Sequence, residues 1–108
     1  MGIDIEMQRS KILKIAHKFT PIEEYRTLAN EEALIRKLTI VWGAKESLYK
    51  SFAEKGVSFR NHIYVEDFDM EALETEAAVS YEGRTENYHI SFLEFEGFTC
   101  AYALIKSA

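Results

Sequence analysis

At 108 residues the chain is the size of one small domain, a length that buries only about 60 to 70% of its unfolded surface. A hydrophobic content of 47%, an aromatic content of 13%, one Pro and five Gly exclude a disordered chain. A formal net charge of −5 and a pI near 5.2 argue against nucleic acid and anionic membrane as partners, because both need a basic footprint.

The first predicted element is a strand. Gly2-Ile3-Asp4-Ile5-Glu6-Met7 alternates with period two, so Ile3, Ile5 and Met7 share one face and Asp4 and Glu6 the other. Two carboxylates at i and i+2 have Cβ atoms about 7 Å apart and can reach one cation. The alternative is an edge strand whose acidic face is simply solvated. From Arg9 to Phe19 the apolar residues Ile12, Leu13, Ile15, Ala16 and Phe19 recur at helical spacing, with His17 and Lys18 near the C-terminal end. Thr20-Pro21-Ile22-Glu23 is a helix-start signal, with Thr20 as N-cap and Glu23 completing a capping box, and it predicts a short second helix ending near Asn30. Asn30 can cap a long helix that starts at Glu31 and runs to about Lys55, where Gly56 stops it.

Beyond Gly56 the pattern turns from helical to alternating. Val57 to Phe59 and Ile63 to Val65 read as strand segments, followed by an acidic connection through Asp67, Asp69 and Glu71. Longer strands are expected at Ala77 to Tyr81, Tyr88 to Phe95 and Phe98 to Ile105, the last two joined by a tight turn at Glu96-Gly97. Both faces of that hairpin carry apolar residues, so both are candidates for cover. The expected class is α+β: a single domain over 1–108 with helices packed on a small, mainly antiparallel sheet. The lone Cys100 cannot form an internal disulfide and suits a reducing, cytoplasmic setting. No apolar run is long enough to span a bilayer, and no signal peptide is visible. Seven Phe and six Tyr leave some aromatic surface for a partner.

The middle of the long helix, Trp42-Gly-Ala-Lys-Glu-Ser-Leu-Tyr-Lys50, is unusual in its chemistry. Lys45 lies on the arc shared by Leu34, Leu38, Val41, Leu48 and Phe52, with Glu46 and Lys50 just beyond its edge, whereas a surface helix keeps charges on the far side. Snorkelling of Lys45 and an i,i+4 pair between Glu46 and Lys50 would account for these positions without any function.

Three separated stretches, taken in order, resemble the 4'-phosphopantetheinyl transferases. They are Gly2-Ile3-Asp4-Ile5-Glu6, then Phe19 with Glu23 four residues later, then Trp42 through Lys50 as Trp-x-x-Lys-Glu-x-x-x-Lys. The resemblance runs from Gly2 to about Val65. It implies one half of that family's fold and an Mg²⁺-dependent transfer of the phosphopantetheine arm of coenzyme A to a serine of an apo acyl or peptidyl carrier protein. Such modification serves fatty-acid, polyketide or non-ribosomal peptide synthesis. By the same resemblance Asp4, Glu6 and Glu46 are the metal ligands, Lys45 and Lys50 face the phosphates, and Glu46, then Glu23, is the candidate base. Trp42 is expected to pack and fix the helix.

In the larger members the Asp-x-Glu strand opens the second of two similar halves, whereas here it opens the chain. The small half-length class, the holo-acyl-carrier-protein synthases, works as oligomers with sites between subunits. Glu6 as a second acid marks the two-half type. The expectation is therefore a second-half fragment or split product, completed by a homodimer or by the missing N-terminal half. Its face toward that partner should be apolar and exposed. The other reading is a non-catalytic half-domain that keeps the fold and binds a carrier protein or a partner half.

Overall fold

The computed structural model describes residues 1–21 and 30–106. Among them are β1 (Gly2–Met7), α1 (Ile12–Phe19), α2 (Glu31–Phe52), β2 (Ile63–Val65), β3 (Glu74–Tyr81), β4 (Arg84–Phe95) and β5 (Phe98–Ile105), with a 3₁₀ turn at Met70–Ala72. The strands form one antiparallel sheet in the order β1-β5-β4-β3-β2, and α2 lies across its inner face with α1 packed on the helix. This is the α+β arrangement expected from the change of periodicity at Gly56.

α2 begins where Asn30 takes extended backbone and its side chain accepts from the Ala33 N–H at 2.8 Å, with Glu31 and Glu32 in the first turn. It ends three residues before the expected span does. Ala53 adopts the left-handed conformation (φ 58°) and its N–H bonds to the Tyr49 carbonyl, so the helix stops ahead of Gly56. The helix is buried on nearly every side, by the sheet beneath and by α1 and the 57–68 connection above. Two lysines are caught in that burial. Lys37 donates to the Phe68 carbonyl and pairs with the exposed Asp67 at 3.0 Å, so its charge is answered at the surface end of its side chain.

The core beneath α2 is built from Leu38, Val41, Ala44, Leu48 and Phe52 against Val79, Tyr88, Ile90, Phe92, Ala101 and Ala103. The residues of β5 that face the helix are small, and this lets helix and sheet approach closely. Gly2 shows how closely: a Cβ there would stand 1.9 Å from the Ser47 carbonyl oxygen.

Residues 57–59 form no strand. Ser58 instead folds a local turn with His62, its N–H donating to His62 Nδ1 at 2.7 Å while the His62 N–H returns to the Ser58 carbonyl at 2.9 Å. β3 and β4 are longer than expected and meet at Glu82-Gly83, where both residues have positive φ, as do Glu96 and Gly97 between β4 and β5. The short helix expected after Thr20-Pro21, and Glu23 within it, lie outside the described residues.

The two faces of the sheet differ from what alternation alone suggests. In β1 it is Asp4 and Glu6 that turn toward the helix, and Ile3, Ile5 and Met7 that turn to solvent. With Leu93, Phe95 and Leu104 they make an apolar outer surface whose members are each between 44% and 59% exposed. One face of the β4–β5 hairpin is therefore covered by α2, and the other is open.

Candidate active site

Edge strand β1 and the second half of α2 bring four of the residues singled out above to one place. Among the described residues β1 pairs only with β5, in the register Gly2 to Ala103, Asp4 to Ala101 and Glu6 to Thr99. Small partners on β5 and Gly43 on the helix leave room for the carboxylates between strand and helix. Asp4 is 8% exposed. Its Oδ1 accepts from Lys50 Nζ at 3.2 Å, and the same ammonium donates to the Ile3 carbonyl at 3.1 Å. Its Oδ2 is buried, accepts no N–H or O–H from the described residues, and faces Gly43, where a Cβ would sit 3.6 Å away.

Glu6 Oε1 accepts from the Trp42 indole N–H at 3.0 Å. The Trp42 ring is itself held between Phe19 and Phe59, with centroids 5.1 and 5.4 Å away. Trp42 thus packs as expected, and it also orients a carboxylate, a role its sequence position did not disclose. A Trp spaced at a helical interval from the acidic Glu46 gives no hint of a donor aimed at a different strand.

The electrostatics show that the acids sense one another. Glu6 is raised above the usual glutamate value of 4.5, first by burial, then by the shared hydrogen bond and charge of Asp4, and also by Glu46. Glu46 is raised by burial and then by the Asp4 charge, with Lys50 one turn later opposing. Asp4, Glu6, Glu46 and Lys50 therefore form one electrostatic group. Among the described residues, however, no three His, Cys, Asp or Glu side chains are gathered as a ready cage for a cation. Trp42 holds Glu6, and Lys50 holds Asp4.

Lys45 is placed elsewhere. It is 2% exposed, and its ammonium donates to the Phe19 carbonyl at 2.6 Å and the Phe59 carbonyl at 2.7 Å. Neither snorkelling to water nor a free presentation to phosphate describes that position. It ties the end of α1 and the 59–62 turn to the helix, beside Arg60, which donates to the His17 carbonyl. Lys45 also lines a cavity of about 280 Å³ with Thr20, Arg60, His62 and Ser80 at the β2 edge of the sheet. A second cavity of about 310 Å³ adjoins Glu6, and its lining includes Arg9, Lys11, Ile15, Thr39 and Trp42.

With this arrangement in view, comparison with known families is decisive: the model of the 4'-phosphopantetheinyl transferase superfamily matches residues 1–103. The chain belongs to that superfamily. Membership indicates phosphopantetheinyl transfer as its chemistry, in a family that takes coenzyme A as substrate and acts on carrier proteins. The match extends the likeness past Val65 and through β3, β4 and most of β5. A comparison with curated protein sequences found no significant match. No helix among the described residues is long and apolar enough to cross a membrane.

Proposed function

We propose that this phosphopantetheinyl transferase domain uses Asp4, Glu6 and Glu46 to hold Mg²⁺ and Lys50 to face the diphosphate of coenzyme A, with a serine of an apo carrier protein as acceptor. The observation that carries the reading is the meeting of two acids from edge strand β1 with Glu46 and Lys50 of α2, around a buried Asp4 oxygen that accepts no hydrogen bond from the described residues. An orphaned carboxylate oxygen in a group of mutually repelling acids suits a hard divalent ion, which takes carboxylate oxygens and leaves further positions for water and phosphate. The ion would supply positive charge to the diphosphate oxygens.

The transfer breaks one P–O bond and makes another. The serine Oγ attacks the phosphorus that carries the pantetheine arm, the new Oγ–P bond forms, and the bond to 3',5'-ADP breaks. Charge grows on the departing oxygen, and the Lys50 ammonium is the protein's own group to meet it. The serine proton passes to a carboxylate. Glu46 is the first candidate because α2 places it beside Asp4 and Lys50, where the acceptor serine would meet the donor phosphate. Glu23, outside the described residues, is the second candidate. Lys45 supports the site from behind, by fixing the helix to the turns that flank it.

The acceptor has a natural approach over α1. Residues 9–18 carry Arg9, Lys11, Lys14, His17 and Lys18 and no acid, in a chain whose net charge is −5. That surface borders the cavity beside Glu6 and favours an acceptor with an acidic face. The open apolar face of β1, β5 and β4 is where a second copy or a separate N-terminal half would pack, and it supports the reading that one chain is half of the working enzyme. A cytoplasmic setting follows from the substrates.

The test is mass spectrometry of an apo carrier protein incubated with the chain, coenzyme A and Mg²⁺. Appearance of the phosphopantetheine adduct, and its loss when Mg²⁺ is chelated, is the expected result. Absence of both the adduct and Mg²⁺-dependent coenzyme A binding would leave the second reading, a non-catalytic half-domain that binds a carrier or a partner half.

A further inference from the structure

Lys50 is engaged in a way that a purely phosphate-facing lysine would not be. It reaches from the last turn of α2 to β1 and places one ammonium on both the Ile3 carbonyl and Asp4 Oδ1. Its side chain is 51% exposed, whereas that of Asp4 is 9% exposed. The two partners therefore depend on the contact unequally. A buried carboxylate left without a counter-charge is costly, while an ammonium on a long stem at the surface can return to water with little loss.

We infer that Lys50 is the resident counter-ion of the acid cluster, displaced from Asp4 when a divalent cation enters and thereby released to face an anionic donor. The inference rests on the proposed reading of Asp4, Glu6 and Glu46 as cation ligands. Three carboxylates outnumber the one ammonium, and a divalent ion brings twice the charge of that ammonium to the same group. An ammonium still on Asp4 Oδ1 would then share a carboxylate with the incoming ion, and like charges at that distance repel strongly. Lys45 cannot play the part, because its ammonium is held by the Phe19 and Phe59 carbonyls. Metal loading would thus come first and the anionic donor second, with the freed lysine tethered close by.

The cluster would then bind a divalent ion against competition from its own lysine, and removing that lysine should strengthen binding. The test measures Mn²⁺ affinity, by titration calorimetry and by the loss of the free-ion electron paramagnetic resonance signal, with no coenzyme A present. Wild type is compared with Lys50→Met and with Lys55→Met, which removes the same charge just beyond the helix without a contact to the acids. Lys50→Met is expected to bind at least about fivefold tighter than wild type, and Lys55→Met within about twofold. In the wild-type protein, acylation of Lys50 by an amine reagent, followed by peptide mass spectrometry, should rise when Mn²⁺ is saturating. Lys50→Met binding no more tightly than wild type would overturn the inference while leaving the acids as ligands. Should Lys50→Met not fold, unchanged acylation of wild-type Lys50 upon saturation overturns it instead. Failure of wild type and Lys50→Met alike to bind Mn²⁺ would remove the proposed ligand set, and this inference with it.

Discussion

α2 presents carboxylate chemistry at two places along its length, and they are opposites. Near its start Arg36 grips Glu94 of β4 with two hydrogen bonds, at 2.8 and 2.9 Å, and Gln8 adds a third at 2.8 Å. Glu94 is held below the usual glutamate value, chiefly by the hydrogen bond from Arg36, which outweighs the burial that would raise it. Nearer its end one half-exposed lysine pairs with Asp4 and opposes the charge of Glu46, Glu6 is held by the Trp42 N–H, and Glu6 and Glu46 are both pushed upward. The first place is electrostatically satisfied and locks β4 and the end of β1 to the helix. The second is left in want of positive charge by the same helix and the same strand. The fold saturates one carboxylate fully and leaves the acids at the second place with less positive charge than they carry, which is the imbalance the proposed cation would meet.

The comparison is broken most directly by exchanging which carboxylate is neutralised. Glu46→Gln should lower transfer to a carrier protein by at least about a hundredfold and leave the fold intact, as judged by circular dichroism and a urea melt. Glu94→Gln should do the reverse. It loses charge-assisted hydrogen bonds from a partly exposed Arg36, a cost of about 1–2 kcal/mol in a urea titration, with transfer by the remaining folded protein changed less than about threefold. If Glu94→Gln abolished transfer in folded protein while Glu46→Gln kept it, the two places would have been assigned the wrong way round.

A second break acts on the strand that serves both. Gly2→Ala places a methyl where the Ser47 carbonyl already stands, so β1 must shift away from α2. The expected loss is about 1–3 kcal/mol of stability. Asp4, two residues away, should suffer more than Gln8, which the Gly97 carbonyl and Glu94 hold independently. A Mn²⁺ titration should therefore show affinity falling further than the stability loss explains. Equal affinity in Gly2→Ala and wild type would show that the acids do not need the close approach.

Much of this was legible in the residues. Period two over Gly2–Met7 put Asp4 and Glu6 on one face, because that signal depends only on local spacing, whereas Glu46 and Lys50 were marked by the resemblance of Trp42 through Lys50 to a family motif. Which face turned inward was not legible. Ile3, Ile5 and Met7 have the composition of a core face, and only the tertiary pairing of β1 with β5 and the nearness of α2 turn the acids in. The expectation placed the end of α2 at Gly56 because glycine is the cheaper left-handed residue, whereas Ala53 takes that conformation and its N–H closes on the Tyr49 carbonyl. Lys45 looked like a snorkelling or phosphate-facing lysine. The carbonyls that hold it belong to Phe19 and Phe59, 26 and 14 positions away, and no local pattern can announce them. The ends of β3 and β4 were missed because Glu74, Glu76, Arg84 and Glu86 lie on the solvent side or beyond the core, where strand residues need not be apolar.

The finest test of the comparison is the dependence of stability on pH, since the two places should bend it in opposite directions. The folded Glu94 carboxyl titrates below the ordinary value of 4.5, so the folded state binds fewer protons than the unfolded state in that range. Its contribution is complete above the ordinary value and is lost as pH falls through the lower folded one. For Glu6 and Glu46 the folded carboxyls titrate above 4.5, so the folded state binds more protons, and stability falls as pH rises from the ordinary value through the raised ones. Urea melts of the metal-free protein at three conditions, one acid of the ordinary carboxylate value, one near it and one alkaline of the raised values, should find the middle condition the most stable. Glu46→Gln should lessen the loss between the middle and the alkaline condition, by less than about 1 kcal/mol once solvent screening is allowed for, and Glu6 should keep the remainder. Glu94→Gln should instead flatten the acid side. Saturating Mg²⁺ should erase the alkaline-side loss in wild type, because the ion binds the ionised acids of the folded state and supplies the charge they lack. A wild-type profile in which stability rises steadily from acid to alkaline pH would mean that the acids near Lys50 carry no net repulsion, and the contrast between the two ends of α2 would collapse.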